Sequence, residues 1–330
     1  GKTKQEAIDN FRAVLEGGGL ESAKKAKAVR FGIYSFRSKP GYIIGKKIGS
    51  SHVALENFDG PNGLAEAREY LKNNQDALED KLAKMKQIPD HRKATNSPRV
   101  GADHRNGQDV TPEMFGEAFG FRGVQFGNWV EQGKRQQDLN ESYDALMDMA
   151  GILNVPSRAL SLNGELGLAF GARGKGKQGK ITPKAHYESG HIVINLTKKS
   201  GAGSLAHEWW HALDNYFTRE RGAKSDRSFA TEGAAHISVR KEVKSAFSEV
   251  RNAILRTGIP SRAARLDATQ AKKYWSSDRE MSARAFESYV IEKLRDDGAS
   301  NDYLANIIPK EYWDAAAKLG LEKEESYPYL

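Results

Sequence analysis

Residues Leu205 to Phe217 constrain the fold more than any other stretch of the chain. The run Leu205-Ala-His207-Glu208-Trp209-Trp210-His211-Ala-Leu-Asp214-Asn-Tyr-Phe217 holds no Gly, Pro, Lys or Arg. Its apolar positions recur at helical spacing, so it reads as a helix packed into a core. Positions i and i+4 lie about 40° apart around a helix. His207 and His211 therefore project from one face, one turn apart. A buried imidazole needs a partner. Either the two are hydrogen-bonded core histidines on an ordinary helix, or they converge on a metal.

Two imidazoles so placed can hold one Zn²⁺ at about 2.0–2.1 Å. Glu208 sits beside them, where it can take the proton of a water attacking a carbonyl. The chain has no Cys. Disulfides, thiolate zinc fingers, iron–sulfur clusters and cysteine nucleophiles are thereby excluded, and any metal must be held by His, Asp or Glu. Asp214 shares the face of the two His, as a further ligand or as a group orienting an imidazole. A better third ligand comes from another helix, Asp278 to Leu294, on which Glu280, Arg284 and Glu287 share one face. Small and apolar neighbours turn that face inward, and an inward Glu needs a cation. Glu280 is the expected ligand and Glu287 the next choice. Tyr289 and Arg284 are the expected donors to a tetrahedral oxyanion, with Tyr274 and His236 beside them. His186 and His191, in an apparent strand before the His helix, read as surface residues.

The first 88 residues read as a small basic α+β module. A helix is expected at 5–17, ended by Gly17-Gly18-Gly19. Strands follow at 29–36 and 41–49 about Ser38-Lys39-Pro40-Gly41, then a charged helix at 62–86. Residues 89–110, poor in apolar side chains, read as a linker. A second domain, 111–330, opens with Thr111 as N-cap and Pro112 at the first helical position. Phe115, Phe119, Phe121, Phe126 and Trp129 supply aromatic mass for its core. A helix at 134–153 and β-like segments at 159–163, 166–172 and 185–196 follow. The Gly- and Lys-rich loop 171–180 reads as a flexible hairpin connection, not a nucleotide loop.

The net charge is +8. It concentrates in the first fifty residues and in Arg173 to Lys184, which favours an anionic partner only weakly. No stretch approaches the roughly 20 apolar residues that span a bilayer. The amino terminus lacks a basic-then-apolar signal, so secretion by that route is not expected.

His-Glu-x-x-His-x-x-Asp followed by Glu280-x-x-Ala283-x-Ala285-Phe286 resembles the two-helix core of gluzincin-type metallopeptidases. The resemblance implies an α+β zincin-like fold of helices and a small twisted sheet. It makes His207, His211 and Glu280 the ligands of Zn²⁺ and Glu208 the general base. Asp214 and Phe217 stand where a metzincin has Gly and His, so that subclass is excluded. Phe119–Val130, Ala159–Gly174 and Ile192–Thr197 resemble the large polyvalent protein-associated domains of giant modular proteins from bacteriophages, prophages and conjugative elements. That likeness spans roughly 111–295. It implies a protein of a mobile element, in the bacterial cytoplasm or injected into it. Such a protein would cut its own polyprotein or a host protein, with antirestriction or another counter-defence as one role. The expected partner is a protein or peptide substrate, with nucleic acid on the basic module and no membrane. Two other readings fit the same residues. One is an antirestriction-like nucleic-acid-binding protein with a structural or degenerate zinc site. The other is a scaffold without catalysis.

Overall fold

A computed structural model describes residues 31–36, 39–48, 51–86, 92–93, 95–127, 131–172, 185–197, 202–219, 227–233, 239–268 and 273–308. The helix expected at 5–17, the basic run 173–184, Trp129 and His236 lie outside these residues. The chain divides into two compact units, Gly1–Lys86 and Gln87–Leu330. Both are α+β. Together the described residues form eight α-helices and two small sheets.

The first unit is an antiparallel sheet with two helices. Its strands are β1 (Gly32–Phe36), β2 (Lys39–Ile48) and β3 (Ser51–Phe58), in that order, with β2 central. Ile44 and Leu55 from the sheet are buried, as are Ala67, Leu78 and Leu82 from the helices. The sequence reading lacks β3, because Val53 and Leu55 make too short an alternation to mark a strand. The single helix expected at 62–86 is two, α1 (Gly63–Asn73) and α2 (Gln75–Lys86). Asn74 makes the break. Its backbone N–H and its side-chain amide both donate to the Tyr70 carbonyl, while its own carbonyl accepts from Leu78 N.

The second unit opens with α3 (Pro112–Phe119). Thr111 caps it as the sequence indicates, its hydroxyl accepting from Met114 N at 3.2 Å. Phe115 and Phe119 are buried in the core, with Phe121 packed against them. Next come β4 (Val124–Phe126) and the long helix α4 (Gln132–Leu153). The segment expected to be β-like at 159–163 is instead a 3-10 turn, Ser157–Ser161. Ser161 Oγ donates to the Arg158 carbonyl three residues back, a local bond that competes with strand pairing, and Ser157 Oγ donates to the Ala118 carbonyl in α3. Leu162 and Asn163 then leave in the left-handed region at φ 52° and 62°.

β5 (Gly167–Phe170), β6 (Ala185–Glu188) and β7 (Val193–Leu196) complete a four-stranded sheet of order β4-β5-β7-β6. β4, β5 and β7 run parallel, and β6 is the antiparallel edge. The one strand expected at 185–196 is thus a hairpin. β5 and β7 are buried throughout, as inner strands of a covered sheet must be. The remaining helices are α5 (Leu205–Arg219), α6 (Lys241–Leu255), α7 (Ile259–Asp267) and α8 (Asp278–Asp296), with a 3-10 turn at Ala230–Glu232. One apolar core joins α3, α4, β5, β7, α5 and α8.

Residues 89–110 do not behave as a linker where they are described. Arg92 and Val100 form antiparallel bridges to Ile307 and Ser300. Lys93 pairs with Asp302 at 2.8 Å, Arg99 with Asp148 at 2.6 Å and Arg105 with Asp144 at 2.9 Å. The segment is a strap on the second unit, held by charge pairs instead of apolar side chains. That is why its composition suggests a tether.

Candidate metal centre

α5 carries the His pair because both of its ends and its sides are fixed. Before its first turn, Gly203 adopts φ +96°, and a Cβ there would collide with the Asn306 side chain. The stretch after α8 closes on this start. Gly203 N donates to the Tyr303 carbonyl at 2.8 Å and Ala206 N to that of Leu304 at 3.0 Å. Along α5, the Trp209 indole N–H donates to the Leu160 carbonyl at 2.9 Å. The Trp210 indole N–H donates to Ser282 Oγ at 2.9 Å, and its ring stacks on Phe286 at 4.9 Å. These contacts set the register of α5 on α8. Ser277 caps α8 by accepting from Glu280 N at 3.3 Å.

The register brings three side chains to one point. His207 Nε2 and His211 Nε2 lie 3.1 Å apart. Glu280 Oε2 is 3.5 Å from the first and Glu280 Oε1 is 3.4 Å from the second. All three residues are buried. A tetrahedral ion with bonds of about 2.0–2.1 Å sets its ligand atoms about 3.3–3.4 Å apart. These spacings are those expected of side chains that hold one ion. Among the described residues this is the one group of His, Asp and Glu close enough to hold a metal.

The surroundings sort the other expected residues. Glu287, the alternative ligand, faces the far side of His207 and accepts from Nδ1 at 3.0 Å. That bond fixes the ring and points Nε2 at the centre. Glu287 is itself gripped by Arg92 Nη2 at 2.5 Å. Asp214 stands outside the cluster. One of its oxygens accepts from Thr231 N at 2.9 Å and the other from Thr231 Oγ1 at 2.5 Å, so it anchors the 3-10 turn. Nor does it hold His211 by a hydrogen bond, since His211 Nδ1 is buried without one.

Glu208 is buried on the same helix. Arg284 lies against Glu280, Nη2 to Oε2 3.6 Å, with its guanidinium over the Trp275 ring. Tyr289 is not brought to the cluster. It sits about 180° around α8 from Glu280, two-fifths exposed, its ring against Phe286. Tyr274 lies against Arg284 and Glu280. Its hydroxyl accepts from Arg284 Nη2 at 3.5 Å, so that end is turned inward although the residue is 44% exposed. Asp267 holds the Tyr274 loop by accepting from the backbone N–H groups of Tyr274, Trp275 and Ser276 at 2.8–2.9 Å. His186 and His191 both lean on Glu188 at 3.0 Å, away from the cluster.

The electrostatics follow from burial among charges. Desolvation opposes a charge on His207, but the Glu287 carboxylate and hydrogen bonds to Glu280 and Glu287 outweigh it and raise its pKa to about 9. Burial alone would raise Glu280, yet both histidines hold it well below the usual carboxylate range. Glu287 is lowered in the same way, chiefly by Arg92 and His207 against its burial. Burial and the Glu280 charge push the Tyr274 hydroxyl up, which keeps it a proton donor. Sequence reasoning did not reach Arg92 or Thr231. Arg92 finds its partner 195 residues later and Thr231 lies 17 residues beyond Asp214, past the end of the helix, and neither carries a periodic signal.

Two stretches match family models. Residues 1–118 match large polyvalent protein-associated domain 5, and residues 266–329 match large polyvalent protein-associated domain 1. The kind of domain agrees with the resemblance read from the sequence, but the matches flank the segment 119–265 that carried much of that resemblance. Neither a curated protein nor a solved structure matches the chain. Glu280, Arg284 and Glu287 fall in the second matched stretch and Arg92 in the first. His207, Glu208 and His211 fall between them.

Proposed function

We propose that this protein is a zinc-dependent peptidase of a mobile genetic element, built on a zincin-like core. The observation that carries the reading is the convergence of His207 Nε2, His211 Nε2 and the two Glu280 oxygens, at spacings of 3.1–3.5 Å, buried between α5 and α8. Bound there, Zn²⁺ would polarise a substrate carbonyl and lower the pKa of a water. Glu208, beside the two ligands, takes the proton of the attacking water and returns it to the leaving amine. The Tyr274 hydroxyl and the Arg284 guanidinium donate to the oxyanion as it forms. Tyr274 replaces Tyr289 in that role, because only the former reaches the cluster. An extended peptide would add to the sheet along the β6 edge by main-chain pairing. The substrate class is a protein, either a host protein or the longer polypeptide to which such domains belong, met in the bacterial cytoplasm.

Two measurements test this. Elemental analysis of untagged protein should find near-stoichiometric zinc in the wild type and in Glu208→Gln, and loss of it in His207→Ala and Glu280→Ala. New protein amino termini should then be mapped in a bacterial lysate treated with wild type or Glu208→Gln. Termini present only with the wild type are expected. Equal termini with both proteins would refute Glu208 as the base, and a metal-free wild type after zinc is offered would refute the reading as a whole.

A further inference from the structure

We propose that Arg92 is a positioning residue of the metal centre, acting on the ligand His207 through Glu287. The inference rests on the metal reading above. Arg92 lies in the strap, and its guanidinium is buried, 6% exposed. Its Nη2 donates to Glu287 Oε1 at 2.5 Å, and Glu287 Oε2 accepts from His207 Nδ1 at 3.0 Å. Its Nη1 donates to the Gly203 carbonyl and, at 3.2 Å, to Asn306 Oδ1. One planar fork thus fixes the carboxylate behind a ligand and the backbone just ahead of the ligand helix.

Charge makes the role specific. When His207 binds a metal through Nε2 it is a neutral imidazole. It still donates Nδ1–H to Glu287 but gives that carboxylate no countercharge. Glu287 is fully buried, and a buried carboxylate without a cation is costly. Arg92 supplies the cation in direct contact, so Glu287 stays ionised and keeps the imidazole basic and correctly turned. The lysine next to it does not share the task, because Lys93 pairs with Asp302.

The test uses the full chain, stripped with a chelator and titrated with Zn²⁺ in competition with a chelating dye. Wild type, Arg92→Ala, Arg92→Lys and Lys93→Ala are compared, with His211→Ala as the check that the ion occupies this site. Loss of an outer partner of a metal ligand weakens affinity by roughly ten- to a hundredfold. Arg92→Ala should show that loss, Arg92→Lys part of it, and Lys93→Ala less than about twofold. Millimolar methylguanidinium should restore part of the affinity of Arg92→Ala. The visible spectrum of the Co²⁺-loaded protein should change in Arg92→Ala and not in Lys93→Ala. If Arg92→Ala does not fold, Arg92→Lys decides. Weaker affinity at an unchanged thermal midpoint supports the proposal, and unchanged affinity and spectrum overturn it. An equal loss in Lys93→Ala also overturns it, by showing that the strap acts only through stability. If wild type binds zinc and His211→Ala does not, an unaffected Arg92→Ala sinks this inference alone. If wild type binds none, the metal reading falls with it.

Discussion

Glu280 and Glu287 stand two turns apart on α8, both buried, yet one meets Nε2 atoms and the other an Nδ1. The division predicts different outcomes for the same substitution. Glu280→Gln removes a charged ligand, and near-complete loss of zinc is expected on dialysis. Glu287→Gln removes only an outer partner and should retain the metal with roughly ten- to a hundredfold weaker affinity. His207 adds a pH prediction. In the chelator-stripped protein its pKa is about 9, against about 6.5 for an unfolded chain. The folded state therefore holds the extra proton between those values. This stabilisation is complete below about pH 6.5 and is lost as the pH rises through about 9. Glu280 and Glu287 have the opposite sign, contributing above the ordinary carboxylate pKa and losing their contribution as the pH falls. Urea midpoints of stripped protein at pH 6, 7.5 and 9 should decline in that order. Zinc must displace the same proton, so its apparent affinity should rise by up to about tenfold per pH unit toward 9.

The elements divide by what the sequence can encode locally. α5 and α8 are legible because an apolar stripe at helical spacing is a short-range signal. That signal alone puts His207 and His211 on one inward helix face and Glu280 on another. The break at Asn74 and the 3-10 turn at Ser157–Ser161 are not legible, since side-chain bonds to nearby backbone decide them against weak apolar patterns. Tyr274 and Tyr289 show the limit for a site. Both are Tyr residues near Glu280 in sequence, and only the Asp267 loop brings one of them inward. Asp267→Ala should free three buried or partly buried backbone N–H groups and release Tyr274. Cleavage should fall at least tenfold with zinc retained, whereas Tyr289→Phe should leave cleavage within about twofold. Paired metal analysis and terminus mapping would separate the two effects.

At the scale of the whole chain, the boundary that matters is set by buried charge and not by apolar composition. Residues 89–110 look like a tether because their side chains are polar. Yet Glu287, Asp148 and Asp302 are less than a tenth exposed and take their cations from Arg92, Arg99 and Lys93. Breaking a buried ion pair by removing one partner costs about 3–5 kcal/mol, against a total stability of about 5–15 kcal/mol for a domain. Arg92–Glu287 is the strap pair buried on both sides, and that figure applies to it; Lys93 is 33% and Arg99 19% exposed, so their pairs add less. Arg92 finds Glu287 195 residues later, a separation no local pattern can signal. The first family match ends at residue 118, inside the second unit and just short of the end of α3, so the matched stretch and the folding unit are different things. Two truncations distinguish them. A chain beginning at Gln87 keeps every strap cation and should unfold cooperatively and bind zinc with wild-type affinity. A chain beginning at Thr111 keeps His207, His211 and Glu280 but none of the strap. It should lose its cooperative transition and its zinc, and thermal melts with metal analysis of both would show it. Full zinc binding by the shorter chain would mean that the carboxylates find other cations and that the strap is dispensable.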